Sequence, residues 1–141
     1  MDAKLWMDAA DEAMDKEFHG TYDIWGGDID PAAVELAKHN AALAGVDDCI
    51  RFEVADAASF HRDSEYGQLV TNPPYGERLL EKQKAGELYR MFGRTMASMP
   101  PKWRILILSS HTEFERCYGR PASKKRKLYN GMLKCDVFFY N

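Results

Sequence analysis

The segment Asn72-Pro73-Pro74-Tyr75 has the residue types needed to hold an exocyclic amine of a nucleobase. Such an amine is a poor nucleophile, because its lone pair is delocalised into the ring. The Asn72 side-chain oxygen and the Pro73 carbonyl could accept its two N–H groups and favour a localised lone pair, while the consecutive prolines fix the backbone. Tyr75 offers a ring for stacking an extruded base. A tight loop without chemistry is the alternative.

Two carboxylates end other predicted strands. Asp28 occupies a position where α/β sheets bind nucleotides, so its carboxylate could accept both ribose hydroxyls, with Ile29 against the adenine. Asp56 closes the next strand and could accept the adenine amino group. Each has a structural alternative, since Asp28 could simply make a turn and Asp56 could be a helix N-cap. Asp30 is predicted to be mainly an N-cap.

The chemistry of methyl transfer to an amine held in this way is an in-line displacement, helped mostly by proximity and orientation. It requires no metal and no covalent enzyme intermediate. The 4 histidines show no ligand spacing and the 3 cysteines form no CxxC pair, so neither a metal site nor a disulfide framework is predicted. No apolar run approaches the roughly 20 residues that span a bilayer, and the start lacks a secretory signal, which favours a cytoplasmic location without a membrane partner.

The elements that must position these residues follow from hydrophobic periodicity. Apolar residues at helical spacing alternate with short apolar or alternating runs, which is typical of an α/β sheet in one domain over residues 1–141. The predicted elements are helices over 3–19, 31–44, 81–98 and 112–117, and strands over 21–27, 50–54, 67–71 and 103–108.

The end of the chain has the pattern of an antiparallel hairpin. Strands over 125–129 and 132–140 flank Asn130-Gly131, the dipeptide best suited to a type I′ turn. The sheet is therefore predicted to be mostly parallel with an antiparallel edge.

A local basic patch precedes and enters this hairpin, although the whole chain has a net charge of −3 and no nucleic-acid signature. It could contact RNA phosphates, or it could be a solvated edge strand protected by lysines. The patch consists of Arg116, Arg120, Lys124, Lys125, Arg126 and Lys127.

Three segments together resemble the catalytic domain of the THUMP-linked RNA methylases. They are Gly-Asp-Ile-Asp-Pro ending at Pro31, the strand ending in Asp56, and Asn-Pro-Pro-Tyr-Gly-Glu-Arg-Leu ending at Leu79. The resemblance runs over nearly the whole chain, including the hairpin. It implies a Rossmann-like S-adenosylmethionine-dependent methyltransferase sheet, with the target base at the loop of residues 72–75. By the same resemblance, the cofactor contacts are Asp28, Ile29, Asp56, Ala57 and Asn72.

The function that this resemblance implies is methylation of an exocyclic amine of an RNA base, above all guanine N2 of 23S rRNA, with rRNA or tRNA as partner. A DNA adenine-N6 methyltransferase is an alternative, because the same loop serves both amines, although the Gly-Glu-Arg-Leu continuation favours RNA. A nicotinamide oxidoreductase would explain Asp28 but leaves the loop without a role. A catalytically inactive fragment that only packs or binds RNA is a further alternative.

The chain departs from the family pattern at its start. No glycine-rich Asp-Pro-x-Cys-Gly-Ser-Gly-Thr-like loop precedes Asp28, and no THUMP domain is present. The resemblance places the corresponding first strand between the strands ending near Asp28 and Asn72, so a partial catalytic domain with two unpaired inner sheet edges is expected. These edges would be satisfied by pairing of the two half-sheets, by a strand exchanged with another copy, or by an upstream segment.

Overall fold

The structure, a computed structural model, describes residues 3–18, 20–76 and 79–141. The chain divides into two compact units, Met1–Val54 and Ala55–Asn141. All predicted elements are present, with their ends displaced by up to four residues. The elements are α1 (Ala3–Asp15), β1 (Ile24–Asp28), α2 (Pro31–Ala44), β2 (Ile50–Val54), a 3₁₀ helix (Ala57–Ser59), β3 (Tyr66–Thr71), α3 (Leu79–Ala97), β4 (Lys102–Ser109), α4 (Phe114–Tyr118), β5 (Lys124–Asn130) and β6 (Leu133–Tyr140).

The first unit is built on a β1–α2–β2 segment in which the two strands pair in parallel. The Asp30 carboxylate accepts a hydrogen bond of 2.9 Å from the Ala32 backbone N–H, and Pro31 occupies the first turn of α2. Gly45 ends the helix with φ of 69°, a conformation that favours glycine. The predicted N-cap at Asp30 and the predicted helix over 31–44 are therefore confirmed, and Asp28 is the last residue of β1.

The second unit contains a four-stranded sheet in the order β3-β4-β6-β5. β3 and β4 are parallel, whereas β6 pairs antiparallel with both β4 and β5. Helices α3 and α4 pack on this sheet and share one buried cluster with β4 and β6. The buried residues alternate along β4 and recur at helical spacing along α3, as expected for one face of each element. The buried cluster contains Ala85, Tyr89, Phe92, Met96, Met99, Trp103, Ile105, Ile107, Phe114, Cys117, Tyr118, Phe138 and Tyr140.

The hairpin turn differs from the prediction of a type I′ turn at Asn130-Gly131. Asn130 pairs with Leu133, so the turn residues are Gly131 and Met132. Gly131 has φ of 61°, while the described non-glycine residues all have negative φ. A type I′ turn needs positive φ at both central positions, whereas glycine at the first central position fits type II′.

The described strands form two separate sheets, β1-β2 and β3-β4-β6-β5. How the inner edges of the two half-sheets are satisfied, by each other, by a strand from another copy or by an upstream segment, remains a prediction. Among the described residues, no helix combines the length and apolar character that a membrane crossing requires.

Candidate active site

The proline-rich loop begins directly after β3, at the carboxyl end of a strand with a parallel neighbour. Asn72 is exposed, and the Tyr75 hydroxyl donates a hydrogen bond of 2.5 Å to the Asn72 side-chain oxygen. This oxygen is the acceptor predicted for one amine N–H group. An amide oxygen has two lone pairs, so it can accept a second hydrogen while it remains bound to Tyr75.

Tyr89 of α3 holds this loop through a hydrogen bond to its backbone. Tyr89 is fully buried, and its hydroxyl donates a hydrogen bond of 2.7 Å to the Pro74 carbonyl. Because prolines lack an N–H group, carbonyl oxygens are the backbone groups through which Pro73 and Pro74 can be anchored. The sequence analysis missed Tyr89. Its place on the apolar stripe of α3 marks it as buried, but gives no sign of the bond to the loop.

Further hydrogen bonds connect Tyr89 to Ser109 at the end of β4 and to the residues that follow it. The Tyr89 hydroxyl lies 3.2 Å from the Ser109 Oγ, which accepts a 3.1 Å bond from the His111 backbone N–H. His111 Nδ1 accepts from the Glu113 backbone N–H at 3.1 Å, and the imidazole packs edge-to-face on Tyr89. Burial, and next the positive charge of Lys82, lower the pKa of His111. The lowered pKa favours the neutral imidazole, in which Nδ1 can accept the bond from Glu113.

The tip of the β5–β6 hairpin lies beside the loop. Burial raises the pKa of Tyr75, whose hydroxyl is close enough to the Asn130 and Cys135 side chains for both to influence that pKa. Cys135 is buried on β6. The loop therefore has two neighbours, α3 through Tyr89 and the β5–β6 hairpin through Asn130 and Cys135.

The carboxylate of Asp28 lies exposed at the end of β1 in the first unit. One of its oxygens accepts a 2.9 Å hydrogen bond from the Asp30 backbone N–H, so the turn predicted as the structural alternative is formed. That turn uses a single carboxylate oxygen. The adjacent Ile29 side chain is 67% exposed.

Asp56 has a comparable arrangement in the second unit. Its carboxylate accepts a 2.8 Å bond from the Ala58 backbone N–H and caps the 3₁₀ helix that begins at Ala57. The N-cap alternative is therefore formed as well, again through one oxygen. Both aspartates keep exposed carboxylates, which is compatible with accepting hydroxyl or amine donors from a nucleoside. Among the described residues, no group of three or more His, Cys, Asp or Glu could hold a metal ion.

A groove of about 490 Å³ lies between α4 and the hairpin, at the carboxyl end of β4. It contains charges of both signs, and two ion pairs of 2.7 Å join Arg116 to Glu113 and Lys125 to Glu115. Its lining residues are Ser110, His111, Thr112, Glu113, Phe114, Glu115, Arg116, Lys125, Lys134, Asp136 and Phe138.

The fold and the anchored loop define a Rossmann-like methyltransferase domain. The solved structure of SMU.472, a presumed methyltransferase complexed with SAH, superposes with a TM-score of 0.88 and 38% sequence identity over 99% of this chain and 37% of that one. The chain belongs to the UPF0020 family, described as RMKL-like, methyltransferase domain, which matches residues 3–138. The predicted fold class and family resemblance are confirmed.

Two curated relatives agree with this assignment. YpsC of Bacillus subtilis (strain 168), named as a presumed RNA methyltransferase, is 39% identical over 96% of this chain and 35% of its own length. The ribosomal RNA large subunit methyltransferase K/L of Hahella chejuensis (strain KCTC 2396) is 36% identical over 99% of this chain and 20% of its own length. The chain thus spans about a third or less of these relatives.

Proposed function

We propose that this chain is the catalytic part of an S-adenosylmethionine-dependent RNA methyltransferase, with an exocyclic base amine as acceptor and guanine N2 of 23S rRNA as the target. The observation that carries the proposal is the loop of residues 72–75 at the carboxyl end of β3, anchored through the Tyr89–Pro74 hydrogen bond. Membership of the methyltransferase family and the names of the relatives support it.

The loop would act by holding the amine in its reactive form. The Asn72 side-chain oxygen and the Pro73 carbonyl each accept one N–H group, and the Tyr75 ring stacks on the base. The bond from the Tyr75 hydroxyl fixes the orientation of the Asn72 amide, because it requires the oxygen and not the NH₂ group on that side. The amine lone pair then forms the new N–CH₃ bond as the sulfonium–methyl bond breaks, and the amine loses a proton to solvent.

The cofactor would be bound by the residues that follow β1 and β2. Asp28 accepts the ribose hydroxyls with Ile29 against the adenine, and Asp56 with Ala57 meets the adenine amino group. Support comes from the exposure of both carboxylates and from the use of a single oxygen in each turn. The second oxygen of each carboxylate is the acceptor that the cofactor would use.

The decisive experiment is Asn72→Ala in the protein encoded by the complete reading frame. We expect methylation to fall about 10²- to 10³-fold, because one of two amine acceptors is lost, while cofactor binding persists through Asp28 and Asp56. Gln68→Ala is the matched control, since it removes an exposed carboxamide from β3 itself. Incorporation of labelled methyl groups into 23S rRNA fragments measures the rate.

Two results would contradict the proposal. Near-normal turnover of Asn72→Ala on RNA would remove the amine-holding role of the loop. Mass spectrometry of the methylated product would decide the substrate, because N6-methyladenine in DNA, with unmodified RNA, would replace the RNA proposal with the DNA alternative.

A further inference from the structure

The edge strand β5 carries an unusual concentration of exposed positive charge. Its seven residues, Lys124–Asn130, are all exposed, and it pairs with β6 at the outer edge of the four-stranded sheet. We call the run Lys124, Lys125, Arg126 and Lys127 the basic edge. Neither the loop nor the proposed cofactor residues account for it.

Carboxylates offset only part of this charge. Lys125 pairs with Glu115 at 2.7 Å, and Lys127 lies opposite Asp136 in the β5–β6 register. Lys124 lies over the Phe139 ring at 5.9 Å. The ion pairs found among the described residues include neither Lys124 nor Arg126. The basic edge therefore keeps a net positive charge that suits an anionic partner.

The hairpin tip distinguishes a binding surface from simple protection of a sheet edge. Protection requires only charge, yet the Tyr129 side chain is 72% exposed and Met132 is fully exposed beside it. The tip also adjoins the target-base loop, since Asn130 and Cys135 lie close to the Tyr75 hydroxyl. A strand of cations thus leads to an exposed aromatic ring next to the position where a base would be held.

The geometry points to the β5–β6 hairpin as the surface that binds the RNA strand flanking the target base. Lys124, Arg126 and Lys127 contact backbone phosphates, and the Tyr129 ring stacks on a flanking base. Side chains alternate between the faces of a strand, so Lys124 and Arg126 lie about 6.6 Å apart on one face of β5, while Lys127 and Tyr129 lie on the other. Because β5 is the outer strand of the sheet, both sets flank its free edge, along which an extended RNA backbone would run. This assignment rests on the proposed function, because it takes RNA as the substrate.

The test is binding of a fluorescent single-stranded RNA of about 15 nucleotides to the 141-residue chain, without cofactor. The variant Lys124→Gln, Arg126→Gln, Lys127→Gln should bind at least tenfold more weakly at low salt. The slope of log affinity against log salt should become shallower by about two, since each lost phosphate contact on single strands contributes roughly 0.7. Anisotropy at several salt concentrations gives both values.

The matched control removes three exposed cations, Arg90, Arg94 and Lys102, by substitution with Gln. These lie on α3 and at the amino end of β4, the end opposite the target-base loop. The control should leave the salt slope unchanged. If both triple variants lose RNA affinity equally, binding depends only on overall charge. If the β5 variant keeps its RNA affinity, β5 does not bind RNA. Either result overturns the assignment, as would tighter binding of the wild-type chain to duplex DNA of the same length than to the RNA.

Tyr129 is tested separately from the charges. Tyr129→Ser should weaken RNA binding about 5- to 100-fold with an unchanged salt slope, whereas Tyr129→Phe should bind normally, because stacking needs only the ring. Normal binding by Tyr129→Ser would overturn its role. Gln68→Ala serves to separate the two proposals, because Gln68 is an exposed residue of β3 without a role in either of them. It should bind RNA with the wild-type affinity and slope, so a loss of binding confined to the β5 variants holds even if methylation is never detected.

Discussion

The Tyr89 hydroxyl connects the core of the second unit to the target-base loop. It is fully buried, donates to the Pro74 carbonyl and contacts the Ser109 Oγ. Burial raises the pKa of Tyr89, because a phenolate would lie in apolar surroundings, so the hydroxyl stays protonated and remains a donor. Its effect on the reaction would be positional, through the backbone of the loop.

Tyr89→Phe is expected to lower the free energy of unfolding by about 1–2 kcal/mol and to reduce kcat for methylation more than it changes KM for the cofactor. The carbonyl of Pro74 loses its buried donor, so the loop loses its fixed position. Denaturant unfolding gives the stability, and initial rates of the protein encoded by the complete reading frame give the kinetic constants.

Tyr140→Phe is the matched control for this prediction. The Tyr140 side chain is equally buried, and its hydroxyl donates to the Arg120 carbonyl at 3.1 Å, at a site not connected to the loop by the described hydrogen bonds. It should cost similar stability without the fall in kcat. If both variants slow methylation equally, Tyr89 has only a structural role.

The candidate site residues divide according to how local their interactions are. The loop could be predicted from residue types alone, since the chemistry resides in Asn72 and two adjacent prolines. The caps of Asp30 and Asp56 could also be predicted, because each bonds to a backbone N–H two residues ahead. Tyr89 could not, because its partner lies 15 residues earlier and the contact exists only once α3 packs on the sheet.

The packing of α3 against α4 depends on a close approach at Gly93. A methyl group at this position would lie 2.1 Å from the Tyr118 carbonyl oxygen, which belongs to the backbone and cannot rotate away. Gly93→Ala should therefore lower the free energy of unfolding by about 1–3 kcal/mol, despite the gain of about 1 kcal/mol that alanine gives a helix. Urea unfolding measures the difference.

Gly86→Ala, two turns earlier on α3, is the control. Its methyl group would meet the Cys117 Sγ at 3.3 Å, a side-chain contact that a small shift relieves. This variant should unfold within about 1 kcal/mol of the wild type, since helix preference offsets the tighter contact. A Gly93→Ala protein as stable as the wild type would mean that the two helices can separate without cost.

The sequence predicts the type and order of the helices and strands better than it predicts the register in which the strands pair. The apolar run of β4 and the stripe on α3 are strong periodic signals, and both elements lie where they were expected. The turn was assigned one residue too early, because Asn130-Gly131 has the local preference for type I′. The pairing of Asn130 with Leu133 is instead set by the register of the whole hairpin, which buries Cys135 and Phe138.

For the whole molecule, burial is distributed unevenly between the two units. In the described part of the first unit, the buried hydrophobic residues are Val34 and Ala41, and α1 buries none. The second unit holds the large cluster of aromatic and aliphatic side chains around α3, β4 and β6. Since stability rises with buried apolar area, the two units should differ in their resistance to opening.

Hydrogen exchange of the 141-residue chain tests this difference. Amides of β4 and β6 should exchange slowest, with opening free energies near the global value, because both strands are paired on two sides and border the cluster. Amides of β1 and β2 should exchange markedly faster, since each strand has one neighbour and little buried area. Mass spectrometry of peptides from both units, labelled in one sample, removes differences in conditions. Equal protection of β1 and β4 would show that the chain opens as one cooperative body, contrary to the difference in burial.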